Sequence, residues 1–229
     1  MDNFDVGSPA AALANWRPEA PDGGRLAAYE AWWRAEGEAL SAMVDRAGTP
    51  PLEMYDRQGT RIDRIGFPGG YERLLGRGQR EGMVARAVAE RSLLPGYALG
   101  YVTSFFDPGL YCPFTVSLGT VVPVLKYAPA DLRDRMLEPL CRTDGNAWQG
   151  ATWMTEAGGG SDLGANVRTV ATPAADCWYL TGEKYFASNA GAELAVVAAR
   201  PAGAPEGVRG LALYLVPRYR GDGTLNYFI

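Results

Sequence analysis

The densest chemistry in the chain lies in Trp153-Met154-Thr155-Glu156-Ala157-Gly158-Gly159-Gly160-Ser161-Asp162. Three successive glycines followed by Ser-Asp allow backbone N–H groups to approach an anion closely, because no Cβ stands in the way. The common phosphate loops fail on the residues. A G-x-G-x-x-G begun at Gly158 meets Leu163 where its last glycine belongs, and no Gly-Lys dipeptide exists for a nucleoside-triphosphate loop. Alone, this segment reads equally well as a plain glycine-rich turn. A second cluster follows: Gly182-Glu183-Lys184-Tyr185-Phe186-Ala187-Ser188-Asn189, an aromatic stretch ending in a hydroxyl and an amide. Glu156 and Asp162 invite reading as a catalytic carboxylate pair; the better expectation is loop-fixing groups that accept nearby backbone N–H bonds.

Composition narrows the chemistry further. The 229 residues contain no histidine, which excludes Ser-His-Asp and Cys-His catalysis and His-ligated zinc within this chain. The three cysteines, Cys112, Cys141 and Cys177, are scattered and form no CxxC pair, so they are expected to be buried apolar residues in a reducing compartment. No metal site is expected. With 22 basic and 26 acidic side chains the net charge is −4, and no polybasic run favours nucleic acid. The N-terminus lacks a signal-peptide pattern and no apolar stretch reaches about 18 residues, so a cytoplasmic location is expected.

The elements that must position these clusters fall into two parts, residues 1–145 and 146–229. Residues 1–24 read as an irregular lead-in. Leu26, Tyr29, Trp33, Leu40 and Val44 then form one apolar helical stripe, with Glu30, Arg34 and Glu38 on another face. The Trp32-Trp33 pair is expected in the bundle core or a subunit contact. Residues 52–67 read as a surface excursion or a short hairpin. A second helical group runs from near Gly70 to a break at Pro95-Gly96, and a third, apolar nearly all round, from Thr115 to Tyr127 with a kink or boundary at Pro123. Asp131 is expected to cap a short helix that stops before Pro139. From about residue 146 the grammar changes to short β-branched and aromatic runs, read as strands over Ala147–Thr155, Val167–Thr172, Trp178–Phe186, Leu194–Arg200 and Leu211–Pro217. The expected class is α+β, an all-helical bundle followed by an antiparallel β-barrel or sandwich. Leu225–Ile229 looks like the opening of a further strand, which suggests a fragment of a longer protein or half of a split one.

Taken together, T-E-x-x-x-G-S-D on Thr155–Asp162 and G-x-K-x-(aromatic)-x-(Ser/Thr)-N on Gly182–Asn189 resemble the acyl-CoA dehydrogenase family. Leu213–Arg218, Asp222-Gly223, Tyr55-Asp56-Arg57 and Arg61–Arg64 look most like its AidB-type subgroup. The resemblance implies an FAD-holding middle β-domain and a C-terminal helical domain that lies outside this chain. Carried over by motif position, Met154 and Thr155 would meet the pyrimidine edge of the flavin, where donors stabilise charge that accumulates on reduction. Gly160 and Ser161 would serve the pyrophosphate, with Ser161 also near the acyl-CoA. Phe186 and Ala187 would cover the ring, and Ser188 would hydrogen-bond near N5. Family members often carry Trp at the Phe186 position, Thr at Ser188 and Pro at Ala157.

The implied reaction is α,β-dehydrogenation of an acyl-CoA thioester with hydride transfer to flavin N5, and the implied base lies outside this chain. Implied partners are acyl-CoA, further subunits in a homodimer or homotetramer, and an electron-transfer flavoprotein. Two alternatives stand beside this reading: an AidB-type flavoprotein with a protective role in alkylation stress, and a module used only for protein interaction.

Overall fold

The computed structural model describes residues 7–16 and 22–229. The irregular lead-in expected over residues 1–24 lies partly outside the described residues, and its described part holds helix α1 (Pro9–Trp16). Proline in a first turn costs a helix nothing, since that N–H has no partner anyway. Helices α2 (Gly23–Trp32) and α3 (Glu38–Ala47) are joined through a π-helical turn at Trp33–Gly37 into one rod. Trp33 is fully buried and stacks on Phe106 at 5.4 Å between centroids, while Trp32 lies parallel to Tyr29 at 6.1 Å. Trp33 lies wholly in the bundle core and Trp32 packs partly buried against it.

The stretch 52–67 resolves into the hairpin, with β1 (Leu52–Tyr55) antiparallel to β2 (Arg61–Ile65). Four helices follow: α4 (Gly69–Arg80), α5 (Ala85–Ala89), α6 (Leu94–Phe106) and α7 (Pro108–Tyr127). Pro95-Gly96 does not break a helix but opens α6, again as a first-turn proline. Helix α7 starts earlier than the apolar run suggested, because Asp107 caps it by accepting from the Leu110 N–H at 2.9 Å. It continues through Pro113 and Pro123, and α8 (Ala130–Leu140) includes Pro139. Pro129, not Asp131, occupies the cap position of α8, and Asp131 sits in its first turn.

Among the described residues α7 is the one helix long and apolar enough to cross a membrane, contrary to the expectation of no such stretch. It packs against α6, α8 and strand β3 (Gly150–Trp153). The contact with β3 is close: Thr120 Oγ1 donates to the Ala151 carbonyl at 2.9 Å, and Gly150 N donates to Ser117 Oγ at 2.9 Å. Gly150 is required there, since a Cβ would fall 2.6 Å from Thr120 Cβ. The helical core gathers Leu26, Tyr29, Trp33, Leu74, Leu99 and Leu118, and each fully buried leucine contributes about 2 kcal/mol.

Beyond α8 come β3, the short helix α9 (Leu163–Asn166), β4 (Val170–Pro173), β5 (Trp178–Thr181), β6 (Leu194–Pro201) and β7 (Ala212–Pro217). The sheet is mixed rather than antiparallel. Strand β6 runs parallel to β3 and β4, while β4–β5 and β6–β7 are antiparallel. The long irregular segments between β3 and β6 give the chain room to cross over and return in the same direction, which hairpin-like spacing concealed. Leu225 forms an isolated antiparallel bridge with Tyr219. Cys112 and Cys177 are exposed and only Cys141 is partly buried, against the expectation of three buried thiols.

Candidate functional site

Both motif clusters converge at the end of β3. Tyr185 N donates to the Thr155 carbonyl at 2.9 Å, and Trp153 Nε1 donates to the Ser188 carbonyl at 3.0 Å. These bonds lay residues 182–189 alongside residues 153–155. The contact is cemented by a buried ion pair: Lys184 Nζ lies 2.6 Å from Glu156 Oε1, with side-chain exposures of 9 % and 7 %. The same ammonium donates to the Met154 carbonyl at 3.3 Å.

Glu156 has the loop-fixing role expected of it. It accepts from Arg168 N at 2.6 Å, Thr169 N at 3.1 Å and Thr169 Oγ1 at 2.6 Å, besides Lys184. Burial opposes its charge, but Lys184, Thr169 and the two backbone N–H groups outweigh that and hold its carboxyl below the usual range. Asp162 likewise caps α9, accepting from Ala165 N at 3.0 Å. Both carboxylates are engaged by nearby backbone donors.

The glycine run is closed by the Gly159 N–H to Glu156 carbonyl bond at 2.9 Å. Gly160 lies against Thr155, so that a Cβ there would overlap the Thr155 hydroxyl. Thr155 is half-buried and Ser161 is exposed. Helix α9 is fixed from behind by Arg200, whose Nη2 donates to the Gly164 carbonyl at 2.8 Å and whose Nη1 donates to the Gly207 carbonyl at 3.1 Å.

The segment expected as the end of a strand is instead a loop. Strand β5 stops at Thr181, and Gly182 departs with φ of 156°. Phe186 has φ of 53° and Asn189 φ of 56°, both left-handed, and Ser188 N closes a three-residue turn onto the Phe186 carbonyl at 2.9 Å. Left-handed backbone in a bulky residue costs on the order of 1–2 kcal/mol, so it persists only where the surroundings impose it. Here it turns the Phe186 ring outward, 78 % exposed, beside Tyr185. Ala187 points inward, half-buried against the small core of Ala151, Trp153 and Val197, and Ser188 is exposed.

A separate cleft of about 1510 Å³ opens between the C-terminal part of α7, α8 and the sheet. Trp153, Lys184 and Ala187 line it, whereas Met154, Thr155, Phe186 and Ser188 do not. No cluster of metal-ligating side chains occurs among the described residues.

Helical bundle, mixed sheet and paired motif loops together define the acyl-CoA dehydrogenase class, and residues 151–225 match the family profile described as the acyl-CoA dehydrogenase middle domain. Residues 8–144 match the adaptive response protein AidB N-terminal domain, and the chain belongs to this AidB family. A curated relative, the putative acyl-CoA dehydrogenase AidB of Escherichia coli, is 27 % identical over 77 % of this chain and 34 % of its own length. The solved Caenorhabditis elegans ACDH-11 in complex with C11-CoA is 26 % identical and superposes with a TM-score of 0.80, over 97 % of this chain and 40 % of that one. A Mycobacterium smegmatis glutaryl-CoA dehydrogenase in complex with FADH2 shares the fold at a TM-score of 0.67 and 17 % identity, over 92 % of this chain and 49 % of that one. The chain thus spans between a third and a half of the length of these proteins.

Proposed function

We propose that this chain forms the flavin-holding N-terminal part of an FAD-dependent acyl-CoA dehydrogenase. The observation that carries the reading is Phe186, an aromatic ring held in left-handed backbone and turned to the outside on a loop bonded to Thr155. A ring so displayed at a cost in strain suits stacking on a flat partner. The neighbouring donors suit the rest of FAD. Met154 and the Thr155 hydroxyl would meet the pyrimidine edge, and their dipoles favour the charge that accumulates there on reduction. Gly160 and Ser161 would face the pyrophosphate, Ser161 also bordering the acyl-CoA, while Phe186, Ala187 and Ser188 would face the ring near N5.

When bound, FAD would supply the hydride acceptor for α,β-dehydrogenation of an acyl-CoA thioester. The residues of this chain bind and orient it, and none is assigned the base that removes the α-proton. A homodimer or homotetramer, and an electron-transfer flavoprotein as electron acceptor, belong to the same proposal. The match to an adaptive response protein favours a second reading, a protective flavoprotein of alkylation stress with little dehydrogenase activity.

The test is to add FAD to the purified full-length protein that contains this chain, and then a panel of acyl-CoAs of varied chain length. Bleaching of the visible flavin band supports the dehydrogenase. Bound flavin that no thioester bleaches supports the protective reading, and failure to bind FAD overturns both.

A further inference from the structure

The hairpin of β1 and β2 takes no direct part in the site, yet its Asp63 is only 1 % exposed. Ile62 and Asp63 together stand opposite Met54, a bulge in the hairpin, and Asp63 there has φ of 40°. Both of its polar ends are engaged. Its carbonyl accepts from Arg218 Nη2 at 2.7 Å, while its carboxylate accepts from Ile229 N at 2.9 Å and Arg61 Nε at 3.1 Å. Arg218, itself 4 % exposed, holds its guanidinium 4.6 Å from the Tyr227 ring centre and donates to the Tyr227 carbonyl at 3.4 Å.

Tyr227 carries the chain onward. Its hydroxyl donates to the Ala190 carbonyl at 2.8 Å and reaches that of Ala192 at 3.3 Å. Its ring meets Trp153 edge-on at 4.8 Å, and Trp153 Nε1 holds the Ser188 carbonyl. Every link is a short polar or ring contact, and the last ones grip the two sides of the strained turn. Strain at Phe186 and Asn189 requires such outside support, because the turn has only one internal bond among those described, Ser188 N to the Phe186 carbonyl.

The geometry points to Arg218, held by the Asp63 carbonyl, as the positioning residue of the Phe186–Asn189 loop, acting through Tyr227 and Trp153. The inference rests on the reading of that loop as flavin-facing. It gives the AidB-type residues around Arg61–Arg64 and Arg218 a task that the proposed reaction leaves open. They fix the pose of the flavin-facing ring without touching it.

Two conservative variants test it, Tyr227→Phe and Trp153→Phe, each keeping a ring and losing one donor. Arg218→Lys, which keeps the charge but loses the forked contacts to the Asp63 and Tyr227 carbonyls, is the distant third. Amide hydrogen exchange over residues 186–192 and the Kd for FAD are measured on the full-length protein that contains this chain. Exchange there should rise roughly two- to tenfold in each variant, as for one lost hydrogen bond, with α6 amides unchanged. FAD should bind more weakly by a similar factor, with a shifted visible band. Unchanged loop exchange in both aromatic variants, or an equal rise in α6, overturns the inference whatever FAD does. If instead the loop loosens while even the parent protein binds no FAD, the flavin reading falls and the positioning chain stands. Should Arg218→Lys fail to fold, the two aromatic variants decide.

Discussion

Replacing Lys184 by methionine removes one partner of the Glu156 pair while keeping most of the side-chain volume. Both side chains are nearly buried, at 9 % and 7 % exposure, so solvent screens the pair little. Breaking a buried pair costs about 3–5 kcal/mol, because the remaining charge is left uncompensated. Three donors to Glu156 survive here, Arg168 N, Thr169 N and Thr169 Oγ1, which places the loss near the low end. The expected cost is therefore about 3 kcal/mol, or a fall in Tm of roughly 6–12 °C for a domain of this size. Urea unfolding gives the free energy, and a cycle with Glu156→Gln should return a coupling of about 1–3 kcal/mol. The pH dependence carries the sign. In the parent protein the Glu156 carboxyl lies below its ordinary range, so its contribution is complete above that range and is lost as pH falls from it through the lowered value. Lys184→Met should shrink this acid-side loss. A cost below about 1 kcal/mol, or a coupling near zero, would refute the claim that this pair joins the two motif loops.

Phe186→Gly relieves the left-handed strain and exposes nothing that was buried, so folding stability should hold or rise by up to about 1 kcal/mol while FAD affinity falls. A loss above about 1 kcal/mol in urea unfolding would show that the ring is packed. Gly150→Ala should destabilise by about 1–3 kcal/mol in the same assay, since its methyl would collide with Thr120; no loss would mean that α7 stands off β3. Asp63 is held below the usual carboxylate range because the Ile229 N–H, Arg61 and Arg218 outweigh its burial. Its stabilisation should fade as pH drops below that range toward the lowered value, and the slope of Tm against pH on the acid side should flatten in Asp63→Asn.

Much of the helical half was legible because its signal is periodic. Leu26, Tyr29, Trp33 and Leu40 mark one stripe and all four are buried. Prolines misled where their position, not their presence, decides the effect, as Pro95 opens α6 and Pro9 opens α1. Loop-fixing by Glu156 and Asp162 followed from local chemistry, and both motif clusters do meet. Gly182, in retrospect, marked the end of β5 three residues before the aromatic pair, and its φ of 156° shows why the strand could not continue. Parallel pairing of β3 with β6 left no trace in spacing, because strands of either direction alternate alike. The Asp63–Arg218 contact joins residues 155 positions apart, which no window along the chain brings together.

The central claim concerns the surface between Thr155, Phe186 and Ser188, and a crystal structure of the protein grown with FAD tests it most directly. The account predicts the flavin ring stacked on Phe186 within about 4 Å, its pyrimidine edge at Thr155 and its phosphates over Gly160 and Ser161. A ring bound elsewhere, in the cleft beneath α8 for example, with Phe186 still facing open solvent, would contradict it.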